Sequence, residues 1–354
     1  MYLYKKLGLY TIYCWGLFLC CMACTNSPSD RPNTAPIVVD SLSEQPPQHT
    51  VITAPTTPPG FDTLYQGNQP QVRDTLLDLL IENAGRDFLI SPSLSATMPA
   101  HNSKASKVIH IFVALCDERY QGIAPTPRRI ANGQAPESNL YWGAGYGIRN
   151  YFSRLSPNWK QVYSHKNEAP YKIAPDSKII LERCIFKHKS LDAYIVADAY
   201  DGRCIRETNV DFIRAAAGQQ ADYLVHEGKL LTAGGQADLV AYIGHNGLMD
   251  IDINLLSQGE LRCPNSLNKT AKAVIILACI SKDYFKEIMR CANTRPLVWT
   301  KSLMGPEAYT IHDAIDGWLL NESDAQILDR ALAAIAKYQK ISIKAAKTIL
   351  TSGY

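Results

Sequence analysis

The chain has 354 residues, of which 46% are apolar and 19% charged, with 21 Gly and 20 Pro. That apolar share excludes a wholly disordered chain, and the lack of a Gly-X-Y period excludes a collagen. The net charge of +3 is small and Lys and Arg are scattered, so the chain shows no basic footprint for nucleic acid.

Residues 1–24 read MYLYKKLGLYTIYCWGLFLCCMAC. Lys5 and Lys6 precede an uncharged apolar run from Leu7 to Ala23. The run is short for a membrane span and right for a secretory signal. Its end, Cys21-Met22-Ala23-Cys24, resembles a bacterial lipobox, with Cys21 where Leu is more usual. The resemblance implies a signal peptide over 1–23, lipidation of Cys24 and a place in the bacterial cell envelope. Removing 1–23 leaves 34 basic against 33 acidic residues. Residues 24–70 hold nine of the 20 prolines and little that packs, and read as a flexible linker.

Residues 71–106 are expected to form a short helix, over Val72–Ala84, and an irregular lead-in. From 107 to 354 short apolar runs alternate with amphipathic stretches. Strands are expected at Val108–Leu115, Ala193–Ala197, Leu239–Ile243, Ala273–Leu277 and Leu297–Thr300. Lys178–Phe186 reads as a short helix or a strand. Helices are expected at Val210–Ala217, Lys282–Cys291, 307–320 and 323–350, with another after the Gly-rich segment within Ser138–Leu155. Continuous apolar strands between helices predict an α/β fold: a three-layer αβα domain around a mainly parallel sheet.

Ligands of such sheets bind beyond the carboxyl ends of the strands. There the sequence places Cys116-Asp117, Asp198, His245-Asn246-Gly247, Cys279 and Thr300-Lys301. A thiol and an imidazole on neighbouring tips supply what nucleophilic catalysis needs: a nucleophile, a base and backbone N–H groups for an oxyanion.

The stretches LVAYIGHNG (239–247) and AVIILACIS (273–281) resemble the caspase-like (clan CD) cysteine peptidases, which include caspases, metacaspases, legumain, gingipain and clostripain. The resemblance covers about 108–320. It implies a caspase-like sheet, His245 as base and proton donor, and Cys279 as nucleophile. It further implies an oxyanion hole from the backbone N–H groups of Asn246 and Cys279. The family usually has Gly where this chain has Asn246. No cofactor or metal is implied, and the partner is a protein or peptide substrate. Asp117, Asp198 and Asp250 are candidates for a substrate pocket. The alternative is a caspase-like binding or scaffold lipoprotein without activity. A third reading takes Gly143-Ala144-Gly145-Tyr146-Gly147 as a nucleotide loop, although it follows no strand directly.

Cysteine and histidine never fall at zinc-ligand spacing outside the signal. Besides Cys24 the exported chain keeps Cys116, Cys184, Cys204, Cys263, Cys279 and Cys291. Mostly reduced thiols are expected, with Cys279 free and Cys116 the one other cysteine bordering the site.

Overall fold

The computed structural model describes residues 88–89, 106–123, 126–166, 180–227, 229–251, 253, 263 and 270–354. The signal, Cys24, the linker and the helix expected at Val72–Ala84 lie outside the described residues. Eleven strands are described: β1 Phe88–Leu89, β2 Lys107–Ala114, β3 Trp159–Lys166, β4 Ile180–His188, β5 Ala193–Tyr200, β6 Ala221–His226, β7 Lys229–Gly234, β8 Leu239–Gly244, β9 Lys272–Leu277, β10 Thr294–Thr300 and β11 Leu350–Thr351. The helices are α1 Ile148–Asn150, α2 Ile205–Ala216, α3 Ser281–Cys291, α4 Ala308–Leu319, α5 Asp324–Gln339 and α6 Ile343–Ile349.

The main sheet has eight strands in the order β11-β10-β9-β8-β2-β5-β4-β3. The five strands from β10 to β5 are parallel, while β4 and β3 at one edge and β11 at the other are antiparallel. All of β5 and β8 is buried, because both sheet faces are covered. Ile109, Ile111, Ala241, Ile243, Ile275 and Leu277 share a cluster with Ile311 and Ile315 of α4 and Ile327 and Ile335 of α5. The opposite parity, Phe112, Val240, Tyr242, Val274 and Ile276, packs with Phe212 of α2 and Phe285 and Met289 of α3. A second, three-stranded sheet, β1-β6-β7, lays Leu224 and Leu231 over Val108 and Val196.

The structure decides one expectation left open and changes others. Ile180–His188 is a strand, antiparallel to its neighbours. The stretch after the Gly-rich segment is only the three-residue α1, followed by a π-helical turn at Tyr151–Leu155. The single helix expected over 323–350 is two, because Lys340 takes the left-handed conformation (φ 55°) and Ser342 caps a new start by accepting from Ala345 N–H. β5 runs on past Asp198 to Tyr200.

That extension corrects one site expectation. Asp198 is not at a strand tip but inside β5, fully buried. Arg183 on β4 donates to both its carboxylate oxygens, from Nε at 2.5 Å and from a terminal nitrogen at 2.6 Å, and also reaches Asp222 at 2.6 Å. His110 accepts from Gly234 N–H at Nδ1, so its Nε2 carries the proton and donates to Asp198 at 2.9 Å. Burial by itself raises the Asp198 pKa, but the Arg183 charge and these hydrogen bonds hold the carboxyl well below its usual range. Asp198 ties the main sheet to the small one through Arg183 and His110.

Candidate active site

β8 and β9 pair in parallel with Ile243 opposite Leu277. Two residues further on, His245 and Cys279 leave these neighbouring strands at the same level. Gly244 makes the exit from β8 with φ +144°, where a Cβ would sit 2.5 Å from the Ala114 carbonyl oxygen of β2. Tyr242 then donates its hydroxyl proton to the His245 carbonyl at 2.5 Å. His245 is buried, and its Nε2 lies 2.5 Å from Asp250 Oδ2.

Asn246 joins the two tips. Its Nδ2 donates to the Cys279 carbonyl at 2.7 Å, and its Oδ1 accepts from Leu248 N–H at 3.1 Å, capping the 3-10 turn Gly247–Met249. Asn246 has φ −82° and ψ 91°, a backbone open to any residue. The local need for Gly falls one residue later, where a Cβ on Gly247 would sit 2.5 Å from Asn209 Nδ2.

Cys279 is half-buried and free. Its thiol donates to the Met304 carbonyl at 3.4 Å, and Met304 N–H points back to the sulfur at 3.4 Å. Burial pushes the thiol pKa up, and the Met304 N–H works against it. The next residue, Ile280, holds φ 49° and ψ 35°, a left-handed conformation costly for a β-branched side chain. Its neighbours enforce it. Ile280 N–H donates to the Ser302 carbonyl at 3.1 Å, and Ser281 N–H to Thr300 Oγ1 at 2.9 Å. Ser281 Oγ donates to the Ile276 carbonyl at 2.9 Å, and the Thr300 hydroxyl to the Ala278 carbonyl. Strain so over-determined fixes the backbone between Cys279 and the start of α3.

The remaining candidates separate. Asp250 joins His245 rather than standing apart in a pocket, and it also accepts from Gly122 N–H at 3.0 Å. Asp117 lies at the β2 tip but is buried and saturated, accepting from the N–H groups of Arg119 and Gly133 and from Gln134 Nε2. It organises its loop and is not a free acid. Beside it opens a cavity of about 170 Å³ lined also by Glu118, Arg119 and Arg128, two acids balanced by two bases. Cys116 is buried, its thiol pushed up to about 12 chiefly by desolvation. The Gly-rich segment is a packed turn: a Cβ at Gly143 or Gly147 would strike backbone at 2.2 or 2.5 Å, and α1 offers no helix end for a phosphate.

Cys263 and Cys291 form a disulfide, while Cys116, Cys184, Cys204 and Cys279 are free. Among the described residues no group of three or more His, Cys, Asp or Glu is placed to hold a metal ion, and no helix is long and apolar enough to cross a membrane.

Sequence reasoning passed over three features of the site. The brace of Ser281 and Thr300 lies in the residues flanking the Cys tip, but its pairing is non-local. Met304 carries no chemical signature. The His-Asn-Gly-Leu-Met-Asp run does hold the signal for the Asp250 contact, a carboxylate five residues after an imidazole across a Gly turn. A Ser-His-Asp set elsewhere, also unforeseen, links Ser156 Oγ to His312 Nε2 at 2.9 Å and His312 Nδ1 to Asp313 at 2.7 Å. Both Ser156 and His312 are buried at the amino-terminal end of the sheet, and Ser156 Oγ accepts from Asn158 and Trp159 N–H, so this set is structural.

Compared with protein-family models, curated proteins and solved structures, the chain finds no match. What the fold and site define is therefore a class: a mainly parallel α/β domain with an imidazole and a free thiol on adjoining strand tips.

Proposed function

We propose that the chain is an exported, lipid-anchored cysteine peptidase of the caspase-like kind. The observation that carries this reading is the parallel β8/β9 register, which brings His245 and the free Cys279 to one level and lets Asn246 bridge them. The site lies at the carboxyl ends of the strands, beside the switch point between β2 and β8 where the chain turns from one side of the sheet to the other. In chain order the strand ending at His245 precedes the strand ending at Cys279, the order of the two stretches on which the caspase-like resemblance rests. A disulfide elsewhere in the domain suits an oxidising compartment.

In this mechanism the Cys279 thiol passes its proton to His245, and the thiolate sulfur attacks the carbonyl carbon of a peptide. The oxyanion takes hydrogen bonds from the backbone N–H groups of Cys279 and Asn246. The C–N bond breaks as His245 gives the proton to the leaving amine, and water then hydrolyses the thioester. Labelling with a thiol-reactive peptidyl probe tests the reading: wild type is labelled and Cys279→Ala is not. Equal labelling of both refutes it.

One observation favours the alternative scaffold reading. The Cys279 thiol is engaged with Met304, and burial pushes its pKa up. On that reading the peptidyl probe leaves both proteins unlabelled while the fold is intact.

A further inference from the structure

The geometry points to Asp250 as a positioning residue for His245, its carboxylate fixing which imidazole nitrogen is basic. The inference rests on the peptidase reading and deepens it. A carboxylate only accepts hydrogen bonds, so the 2.5 Å contact to Asp250 Oδ2 requires a proton on His245 Nε2. Nδ1 is then left with the lone pair that takes the thiol proton. The same arrangement holds the ring's rotation about its Cβ–Cγ bond and stabilises the imidazolium formed when the proton arrives.

The contact is built, not incidental. Asn246 caps the turn Gly247–Met249, and the Asp250 and Ile251 N–H groups both donate to the Gly247 carbonyl, at 3.1 and 2.9 Å. This folds the chain back so that residue 250 returns to residue 245. The loop after β2 supplies a second hold. Gly122 N–H donates to the same Oδ2 at 3.0 Å, and a Cβ on Gly122 would sit 2.6 Å from Asp250 Oδ1. The loops of β2 and β8 thus meet on one carboxylate, at the switch point of the sheet. Asp250 is one-third exposed, whereas the imidazole is nearly enclosed. Tyr242 spends its hydroxyl on the His245 carbonyl, and Cys279 stands two residues beyond the end of the neighbouring strand.

The test reads His245 through the reactivity of Cys279 and needs no peptide substrate. In alkylation by iodoacetamide, sulfur displaces iodide, an S–C bond replaces the C–I bond, and the thiol proton passes to the base. The rate is followed at the Cys279 peptide by mass spectrometry in the full chain, with circular dichroism confirming the fold of each variant. Asp250→Asn keeps shape but presents an amide, and it is expected to slow alkylation about tenfold. In a His245→Ala background the same change is expected to do nothing, because Asp250 acts through the ring. Gly122→Ala displaces the carboxylate from outside, touches neither His245 nor Cys279, and is expected to slow the reaction in the same direction. Added formate is expected to restore the rate of Asp250→Ala, which a purely structural loss would not allow.

Rates within twofold of wild type for Asp250→Asn and Gly122→Ala overturn the inference, as does an equal slowing with and without His245. If His245→Ala itself leaves alkylation unchanged, the dyad reading fails, and Asp250 falls with it. A His245-dependent rate indifferent to Asp250 defeats only the positioning role.

Discussion

Breaking the Cys263–Cys291 disulfide is the perturbation whose size the structure defines best. The bridge closes a loop across a sequence separation of 28 residues. That loop contains β9, Cys279 and nearly all of α3. In the chain-entropy treatment a cross-link of this span removes about 12 cal/mol/K from the unfolded ensemble, or about 3.6 kcal/mol at 25 °C. The paired variant Cys263→Ser with Cys291→Ser is expected to lose up to that amount. For a domain of this size the melting temperature falls by about 10 °C. Urea unfolding followed by circular dichroism measures the loss. Thiol titration of denatured, unreduced protein checks the bond itself, with Cys116, Cys184, Cys204 and Cys279 reacting. Wild type treated with a reductant is expected to match the variant. A stability change below about 0.5 kcal/mol, or six reactive thiols in the domain, refutes the reasoning. The bond ends at the last residue of α3, the helix that starts just after Cys279, so the variant is also expected to label more slowly with the peptidyl probe.

Two further outcomes follow from the brace and the buried network. Thr300→Val leaves the Ser281 N–H and the Ala278 carbonyl without the hydroxyl between them, at a cost of about 1–3 kcal/mol by denaturant unfolding, and it relaxes the Ile280 turn so that Cys279 alkylation slows; unchanged stability and rate together count against the brace. Asp198→Asn leaves Arg183 buried with half its partner and is expected to cost about 3–5 kcal/mol near neutral pH. Asp198 has a folded-state pKa below the ordinary carboxylate value, so its contribution is complete above about pH 4 and is lost as the pH falls through the folded value. The gap between wild type and Asp198→Asn is therefore expected to narrow from pH 6 to pH 3, and a constant gap contradicts the ion-pair account.

The elements that read clearly are those whose signal is local and complete. LVAYIG and KAVIIL are buried on both faces, so their apolar runs declare them as strands without knowledge of partners. The edge strand β3, WKQVYSHK, is fully buried only at Trp159, its other residues being half-buried or exposed, and it carries no such run. The β6–β7 hairpin turns at Glu227 with φ 48°, without the Asn-Gly or Asp-Gly that marks tight hairpins. α5 and α6 share one apolar periodicity, and the left-handed Lys340 between them leaves no compositional trace.

For the site, the sequence by itself determined the residue types and their order: an imidazole and a thiol after apolar runs, an acid five residues past the imidazole. These are legible because covalent spacing fixes what a short run can reach. Tertiary structure alone decided which strands are neighbours, and so that His245 and Cys279 share a level. It decided that Asp198 is a buried ion-pair partner, that Asp117 is spent on its own loop, and that Asp250 belongs to His245. It also decided which two cysteines pair. Each of these depends on contacts between residues distant along the chain or on how a turn closes, and such contacts are set by the packing of the whole domain rather than by any window of sequence.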